Sequence, residues 1–124
     1  MKLLKAGQNE DNVHLVGFSL GGQIVGVAGR YVTIQSDGNY VLGRITGLDP
    51  GIVSTVQLAL IEQRLNLNDA KFVDTIHTEC KQYGSAETLG VVNFWINGGI
   101  SQPMCSSIFP LGNKSDNNIL KALG

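Results

Sequence analysis

The chain has 124 residues, of which 43% are hydrophobic and 15% are charged. This length is enough for one domain with a hydrophobic core, but not for two domains. The formal net charge of −1 and the lack of a basic stripe give no reason to expect a nucleic acid partner. No apolar run in the sequence is long enough to cross a membrane.

The first seven residues predict the last turn of a helix. Gly7 fits the position just after a helix end, where glycine readily adopts a positive φ. The segment lacks the long apolar core of a signal peptide. Because a domain rarely begins on the end of a helix, we expect further residues to precede this segment in the intact protein.

The next stretch predicts a strand, a tight turn and a helix. Val13 to Val16 reads as a short buried strand, and Leu20 to about Tyr31 has the length and apolar spacing of a helix. The turn, Gly17-Phe18-Ser19-Leu20-Gly21, matches the G-x-S-x-G nucleophile elbow. In that motif the serine stands on a strained turn, and both glycines are expected to lie too close to neighbouring backbone for a Cβ atom. The pattern predicts Ser19 as a nucleophile and the Leu20 N–H as one oxyanion donor.

Five common residues do not make a specific motif by themselves. The alternative is a glycine-rich turn of another α/β protein, in which Ser19 acts only as the helix N-cap. The order of strand, turn and helix favours the nucleophile. Gly22, Gly26 and Gly29 should each weaken the helix by about 1 kcal/mol relative to alanine. They therefore indicate a helix that lies very close to the sheet.

A second strand ends at an aspartate. Thr33 to Asn39 predicts a polar loop, and Tyr40 to Leu48 predicts a strand that stops at Asp49-Pro50-Gly51. Asp49 then lies at the carboxyl end of a strand, where open α/β sheets carry functional residues. It follows Ser19 in the order Ser, Asp, His of elbow hydrolases. From pattern alone, Asp49 is either a triad acid that orients a histidine or a cap of N–H groups in a local turn.

The remaining segments complete an α/β layer architecture without internal repeats. The predicted elements are a helix at Ser54 to Asn66, strands at Lys71 to Thr78 and Leu89 to Ile96, and a polar loop from Cys105 onward. Phe94 and Trp95 are expected to pack on opposite faces of the last strand. His14 lies inside the strand before Ser19, so a structural role is expected for it.

Four segments resemble the pancreatic-lipase family. They are Gly-Phe-Ser-Leu-Gly-Gly at 17–22, Ile-Thr-Gly-Leu-Asp-Pro at 45–50, Asp-Ala-Lys-Phe-Val-Asp-Thr-Ile-His-Thr at 69–78, and the run at 89–105. The chain looks most like the insect members, which include midgut lipases, wasp phospholipase A1 and yolk proteins. The resemblance implies the α/β class and a partial α/β-hydrolase domain with a central, mostly parallel sheet. Residues 1–124 would be its central part and 105–124 the start of the lid region, with the N- and C-terminal parts outside this chain.

The resemblance also implies the site residues. Ser19 takes the position of the nucleophile, Asp49 that of the triad acid, and Leu20 that of the residue whose N–H faces the oxyanion. The family's catalytic histidine and second oxyanion donor would lie outside this chain. His77 is the remaining candidate base within it, but the matching histidine of family members is a packing or rim residue, so we expect His77 not to be the base. Neither a metal nor a cofactor is implied.

Cys80 and Cys105 are the only two cysteines. The resemblance implies that Cys105 pairs with a cysteine beyond this chain, which leaves Cys80 unpaired. A Cys80–Cys105 bridge is the alternative. Asn113-Lys114-Ser115 is a glycosylation sequon and gives mild support for secretion.

Three functions follow from these features. The first is a secreted carboxylic ester hydrolase of the triacylglycerol lipase or phospholipase A1 type, acting on lipid esters at a lipid–water interface. The second is a non-catalytic lipid-binding or yolk-type homologue, although a storage protein has no reason to keep both Ser19 and Asp49. The third is a truncated fragment that is inactive by itself because it lacks the base. The sequence does not decide between triglyceride and phospholipid.

Overall fold

The computed structural model describes residues 1–52, 63–81 and 83–103. Within them the helices and strands are α1 (Lys2–Lys5), β1 (His14–Phe18), α2 (Leu20–Gln35), β2 (Arg44–Leu48), β3 (Phe72–His77) and β4 (Val92–Trp95). Short 3-10 helices occupy Glu10–Asn12 and Ile96–Gly99. Most of the predicted helix at Ser54 to Asn66, and the loop from Cys105 onward, lie outside the described residues.

The four strands form one parallel sheet in the order β1-β2-β3-β4. Phe18 pairs with Leu48, and Leu48 pairs with Ile76, so the first three strands end level with one another. Residues that directly follow these strands therefore share the carboxyl edge of the sheet. This architecture confirms the α/β class and is consistent with the partial α/β-hydrolase domain.

Helix α2 packs so closely against its neighbours that only glycine fits at the contacts. A Cβ atom on Gly26 would lie 2.6 Å from the Cα atom of Leu65. One on Gly29 would lie 2.4 Å from the carbonyl oxygen of Asp69 and 2.5 Å from Cδ1 of Ile45. The close approach predicted from these glycines is confirmed, and it involves the loop before β3 as well as the sheet.

The core lies on the α2 side of the sheet. Its buried apolar members are Leu4, Leu42, Ile45, Leu65, Ala70, Val73 and Leu89. The buried carboxylate of Asp69 accepts hydrogen bonds from Nε and Nη2 of Arg30 at 2.8 and 3.1 Å and from the Asn66 N–H at 2.7 Å. Because a buried charge is tolerated only when it is paired, this ion pair links α2 to the loop before β3.

The opposite face of the sheet is open at β1. His14, Val16 and Phe18 are exposed there, with Val16 and Phe18 at 53% and 69%. The prediction of a buried β1 was therefore wrong for this face. Its apolar side chains gave the strand pattern, but no described element covers them.

A polar network runs along this face from β1 to β3, where Thr46 and Asp74 are buried. The Nε2 atom of His14 lies 2.8 Å from Oγ1 of Thr46, which donates to Oδ1 of Asp74 at 2.7 Å. Arg44 donates to both carboxylate oxygens of Asp74, at 3.1 and 2.6 Å. Burial raises the pKa of Asp74, but the hydrogen bonds from Arg44 and Thr46 and the charge of Arg44 outweigh burial and hold it below its usual value. His14 thus joins a structural network, as expected, although its ring is exposed.

Several element boundaries differ from the sequence prediction. Strand β1 continues to Phe18 rather than ending at Val16, and β4 begins at Val92 rather than at Leu89. Helix α2 continues past Tyr31 to Gln35, and β2 begins at Arg44 rather than at Tyr40. The Tyr40 N–H bonds to Oγ of Ser36 at 3.0 Å, so Tyr40 belongs to the turn that closes α2 rather than to the sheet. The expected turn is present at Asp37 and Gly38, both with positive φ.

Candidate active site

Ser19 occupies the turn between β1 and α2 in a strained conformation. Its φ is 53° and its ψ is −124°, in a region that non-glycine residues rarely adopt. The Ser19 N–H bonds to the Leu48 carbonyl at 2.9 Å, and the Ser19 carbonyl accepts the N–H groups of Gly22 and Gly51 at 2.9 and 3.0 Å. These three backbone bonds hold the residue in place. The positive φ expected of a nucleophile elbow is present.

The two glycines of the elbow are not equivalent. A Cβ atom on Gly17 would lie 2.1 Å from the carbonyl oxygen of Gly21, which no local adjustment can absorb. A Cβ atom on Gly21 would have no neighbour within 4 Å. The steric explanation therefore holds for Gly17 and was wrong for Gly21, because no described part of the chain packs against that side of the first turn of α2.

The absence of a side chain on Gly51 keeps the Ser19 hydroxyl and the Leu20 N–H uncrowded on that side. Leu20 is the first residue of α2, and the N–H groups at a helix start have no partner within the helix. A Cβ atom on Gly51 would lie 3.2 Å from the Leu20 nitrogen and 3.3 Å from the Ser19 Oγ. The missing side chain of Gly51 leaves room beside a hydroxyl and an N–H donor, the two groups that acyl transfer requires around a carbonyl.

Asp49 directly follows β2 and is anchored to the end of β3. Its φ is 40°, and its N–H bonds to the Ile76 carbonyl at 2.7 Å. Oδ1 accepts the N–H groups of Thr78 and, at 3.1 Å, of Glu79, while Oδ2 accepts the Thr78 hydroxyl. Asp49 therefore caps N–H groups, but its donors lie just after β3 rather than in the local turn that the alternative expected. A carboxylate has about four acceptor positions, so these three bonds leave one for a histidine N–H.

The structure brings Ser19 and Asp49 to the same edge of the sheet. Each residue directly follows one member of the aligned pair Phe18 and Leu48 on adjacent parallel strands. Their catalytic roles remain predictions, but both occupy the carboxyl edge, where α/β sheets bind their ligands.

Sequence reasoning missed two residues that support this edge. Thr78 anchors Asp49, and Gln23, which is buried, donates to the Gly51 carbonyl at 2.7 Å and accepts the Leu65 N–H at 2.8 Å. Thr78 could have been found by aligning the carboxyl ends of the predicted strands, since it stands just past the end of β3. Nothing in the sequence distinguishes Gln23 from an ordinary polar residue of the helix.

His77 is fully buried in a different set of contacts. Its Nε2 lies 2.7 Å from Oγ1 of Thr75, which donates to Oδ1 of Asn93 at 2.7 Å. The imidazole stacks on Trp95, with ring centroids 4.1 Å apart and an interplanar angle of 10°. None of the hydrogen bonds that the structure describes for His77 goes to Ser19 or Asp49. These contacts favour the packing role that the resemblance implies.

The buried His77 should make stability depend on pH. Burial lowers the pKa of His77, and the Ser85 backbone, the charge of Asp49 and Asn93 oppose this only in part. An unfolded histidine titrates near 6.5, so below about pH 6.5 the unfolded chain binds a proton that the folded chain resists. We expect the free energy of unfolding to be highest above this pH and to fall between pH 7.5 and 5.5 in urea titrations. His77→Gln should be less stable at pH 7.5 but lose less between the two pH values, and an unchanged loss would contradict the assignment.

The described residues were also searched for a metal site and for a membrane-spanning helix. There, no group of three or more histidine, cysteine, aspartate or glutamate residues is placed to hold a metal ion. No helix in the same ranges is long and apolar enough to cross a membrane. Cys80 is half-buried, and because Cys105 lies outside the described residues, both the Cys80–Cys105 bridge and the unpaired Cys80 remain predictions.

A parallel sheet with a serine on a strained strand-to-helix turn is consistent with a partial α/β-hydrolase domain. The chain belongs to the lipase family, whose model matches residues 1–118. This confirms the resemblance to pancreatic lipases that the four motifs carry.

Vertebrate lipases and phospholipases are among the relatives of this chain. The chain is 39% identical to phospholipase A1 member A of Mus musculus over 111 residues, which cover 90% of this chain and 23% of the relative. It is 40% identical to lipase member H of Rattus norvegicus over 105 residues, covering 84% and 22%. It is 39% identical to lipase member H-A of Xenopus laevis over 113 residues, covering 90% and 23%. The chain thus spans about a quarter of the length of these relatives, and the insect branch remains a prediction.

Proposed function

We propose that this chain is the nucleophile-bearing part of a secreted carboxylic ester hydrolase that acts on acylglycerols or phospholipids at a lipid–water interface. The observation that carries the proposal is the positive φ of Ser19 at the start of α2, with Asp49 after the adjacent strand. Membership of the lipase family supports ester hydrolysis. The names phospholipase A1 and lipase among the relatives support lipid esters as substrates. Secretion is supported by the sequon at Asn113.

The proposed mechanism assigns one step to each group. Ser19 Oγ attacks the ester carbonyl carbon while a histidine, supplied by polypeptide outside this chain, takes the hydroxyl proton. The Leu20 N–H stabilises the oxyanion, and Asp49 orients the histidine and stabilises its positive charge. The histidine then protonates the leaving alcohol, and water releases the acyl group from Ser19 by the reverse sequence.

The strain at Ser19 argues against a storage or purely lipid-binding role. Holding a non-glycine residue at positive φ costs on the order of 1–3 kcal/mol. A protein without the chemistry would gain stability by placing glycine at this position. A strained serine at the start of a helix is therefore better explained by catalysis.

The proposal is tested with an activity-based phosphonate. In a protein that carries this chain together with the family histidine, a fluorophosphonate should label Ser19, as identified by peptide mass spectrometry. The same protein should hydrolyse p-nitrophenyl butyrate. Ser19→Ala should abolish both signals, and Ser101→Ala, which changes an exposed serine, should keep both. Labelling at another residue, or hydrolysis that survives Ser19→Ala, would refute the proposal.

The 124-residue chain alone is expected to hydrolyse esters only at a trace rate. Without a base the Ser19 hydroxyl stays protonated, and the loss of one triad member costs several orders of magnitude. Robust turnover by the chain alone that disappears in both Ser19→Ala and His77→Gln would instead identify His77 as the base.

A further inference from the structure

Thr78 binds the carboxylate of Asp49 through two separate donors. It directly follows β3, and its N–H donates to Oδ1 of Asp49 while its hydroxyl donates to Oδ2. Asp49 also continues the pairing of β2 with β3, because its own N–H bonds to the Ile76 carbonyl at 2.7 Å. Both the backbone and the side chain of Asp49 are therefore fixed by residues at the end of β3.

The two carboxylate oxygens of Asp49 are not equivalent. Oδ1 accepts two N–H groups, from Thr78 and, at 3.1 Å, from Glu79. Since each carboxylate oxygen has about two acceptor positions, Oδ1 is filled. Among the bonds that the structure describes, Oδ2 accepts one, from the Thr78 hydroxyl. The free acceptor position of Asp49 therefore lies on Oδ2, beside that hydroxyl.

Thr78 is itself held by the turn that follows β4. Its carbonyl accepts Nε2 of Gln102 at 2.9 Å, and the same nitrogen donates to the Ile96 carbonyl at 2.9 Å. Oε1 of Gln102 accepts from Nδ2 of Asn97 at 2.7 Å. Gln102 thus fastens the turn at Asn97 to Thr78. Because these bonds do not involve Asp49, Thr78 offers the carboxylate a support that is fixed independently of it.

We propose that Thr78 is a positioning residue for ester hydrolysis, whose hydroxyl orients Asp49 so that the histidine donates to Oδ2. The inference rests on the proposed function, since it assigns a partner to the free position of the triad acid. The Thr78 hydroxyl and the histidine N–H then share one oxygen. A hydrogen bond to a carboxylate stabilises its negative charge, so the hydroxyl reduces the charge that the histidine meets at Oδ2. Thr78 therefore sets both the direction and the strength of the bond between Asp49 and the histidine.

Steady-state kinetics test this role in a protein that carries this chain together with the family histidine. Thr78→Val removes the hydroxyl but keeps the N–H and the shape of the side chain. With p-nitrophenyl butyrate, kcat should fall about tenfold with little change in KM, because a displaced carboxylate misplaces the base in the transition state. Thr78→Ser keeps the hydroxyl and should stay within about threefold of the parent kcat. The matched control is Thr33→Val, which removes a half-buried hydroxyl at the end of α2 remote from Ser19 and should leave kcat unchanged.

The pH profile of the same variants separates positioning from a purely structural role. Without the hydroxyl, Oδ2 carries more of the carboxylate charge and stabilises the protonated histidine more strongly. The acidic limb of kcat/KM reports the histidine of the free enzyme, so in Thr78→Val it should move to higher pH by about half a unit. Within the described residues, the charge of Asp49 acts on His77 and Cys80, and Glu79 bonds to Asp49 through its N–H. The substitution changes none of these three residues, so the shift reports the hydroxyl, whereas a structural role alone would not move this limb.

The comparison survives if Thr78→Val fails to fold, which circular dichroism would show. Thr78→Ala and Thr78→Ser differ from each other only in the hydroxyl, and the same loss of kcat and the same shift should separate them. Hydrolysis that requires Ser19 but keeps its kcat and acidic limb without the hydroxyl would overturn the positioning role and leave the proposed function standing. A loss in Thr78→Ser or Thr33→Val as large as in Thr78→Val would also overturn it. Hydrolysis that survives Ser19→Ala would remove the proposed function and this inference with it.

Discussion

Asp49→Asn is expected to lower kcat for ester hydrolysis by about 10⁴-fold with little change in KM, in a protein that carries this chain together with the family histidine. Asparagine keeps an oxygen that accepts the N–H groups of Thr78 and Glu79, and the Thr78 hydroxyl can turn to accept from the new amide. The anchor to β3 therefore persists. What disappears is the negative charge that orients the histidine and stabilises its protonated form.

The chain offers a matched control for Asp49→Asn. Asp37 is also an aspartate at positive φ, with 51° against 40° for Asp49, but it is exposed in the turn after α2. Asparagine tolerates this backbone region, so neither substitution introduces strain. Steady-state kinetics with p-nitrophenyl butyrate should show normal kcat for Asp37→Asn. A loss of less than tenfold in Asp49→Asn, or a similar loss in both variants, would remove Asp49 from the triad.

Gly17→Ala should lower the free energy of unfolding by about 3 kcal/mol or more, a large part of the 5–15 kcal/mol typical of a domain. The new methyl group would lie 2.1 Å from the oxygen and 2.4 Å from the carbon of the Gly21 carbonyl, and 2.8 Å from the Gly22 nitrogen. All three atoms are backbone, so α2 itself would have to move away from β1. Urea unfolding followed by circular dichroism measures the loss.

Gly21→Ala provides the comparison at the other end of the elbow. Its Cβ atom meets nothing within 4 Å, and alanine favours a helix over glycine by about 1 kcal/mol. This variant should be as stable as the parent chain or slightly more stable. Equal destabilisation by the two substitutions would mean that the elbow is not held by the close contact at Gly17.

The local parts of the fold could be predicted from sequence. The elbow, the end of β2, the end of β3 to within one residue, and the close approach of α2 are all encoded by glycines and apolar runs within a few positions of each other. Ser19 and Asp49 reach the same edge because each terminates a strand, and parallel strands end on one side. Such features depend on backbone sterics rather than on distant partners.

The remaining features depend on contacts between distant segments. The exposure of Val16 and Phe18 depends on what covers the sheet, which the residues of β1 do not specify. The donors that hold Asp49 come from Thr78 and Glu79, about 30 positions later in the chain. The end of α2 was placed too early because the polar Thr33 suggested a loop, whereas its hydroxyl bonds to the Gly29 carbonyl one turn back in the helix.

The strand order also determines how the sheet can assemble in time. Each strand pairs with the strand that precedes it in the chain, and partners such as His14 and Arg44, Arg44 and Phe72, or Asp74 and Val92 close progressively shorter loops. Loop-closure entropy varies only with the logarithm of length, so these closures differ by about 0.5 kcal/mol. Among the four described strands, none pairs with a strand made later than its immediate successor. The sheet can therefore grow during synthesis on the ribosome, with β1, α2 and β2 placing Ser19 and Asp49 side by side before β4 has been translated.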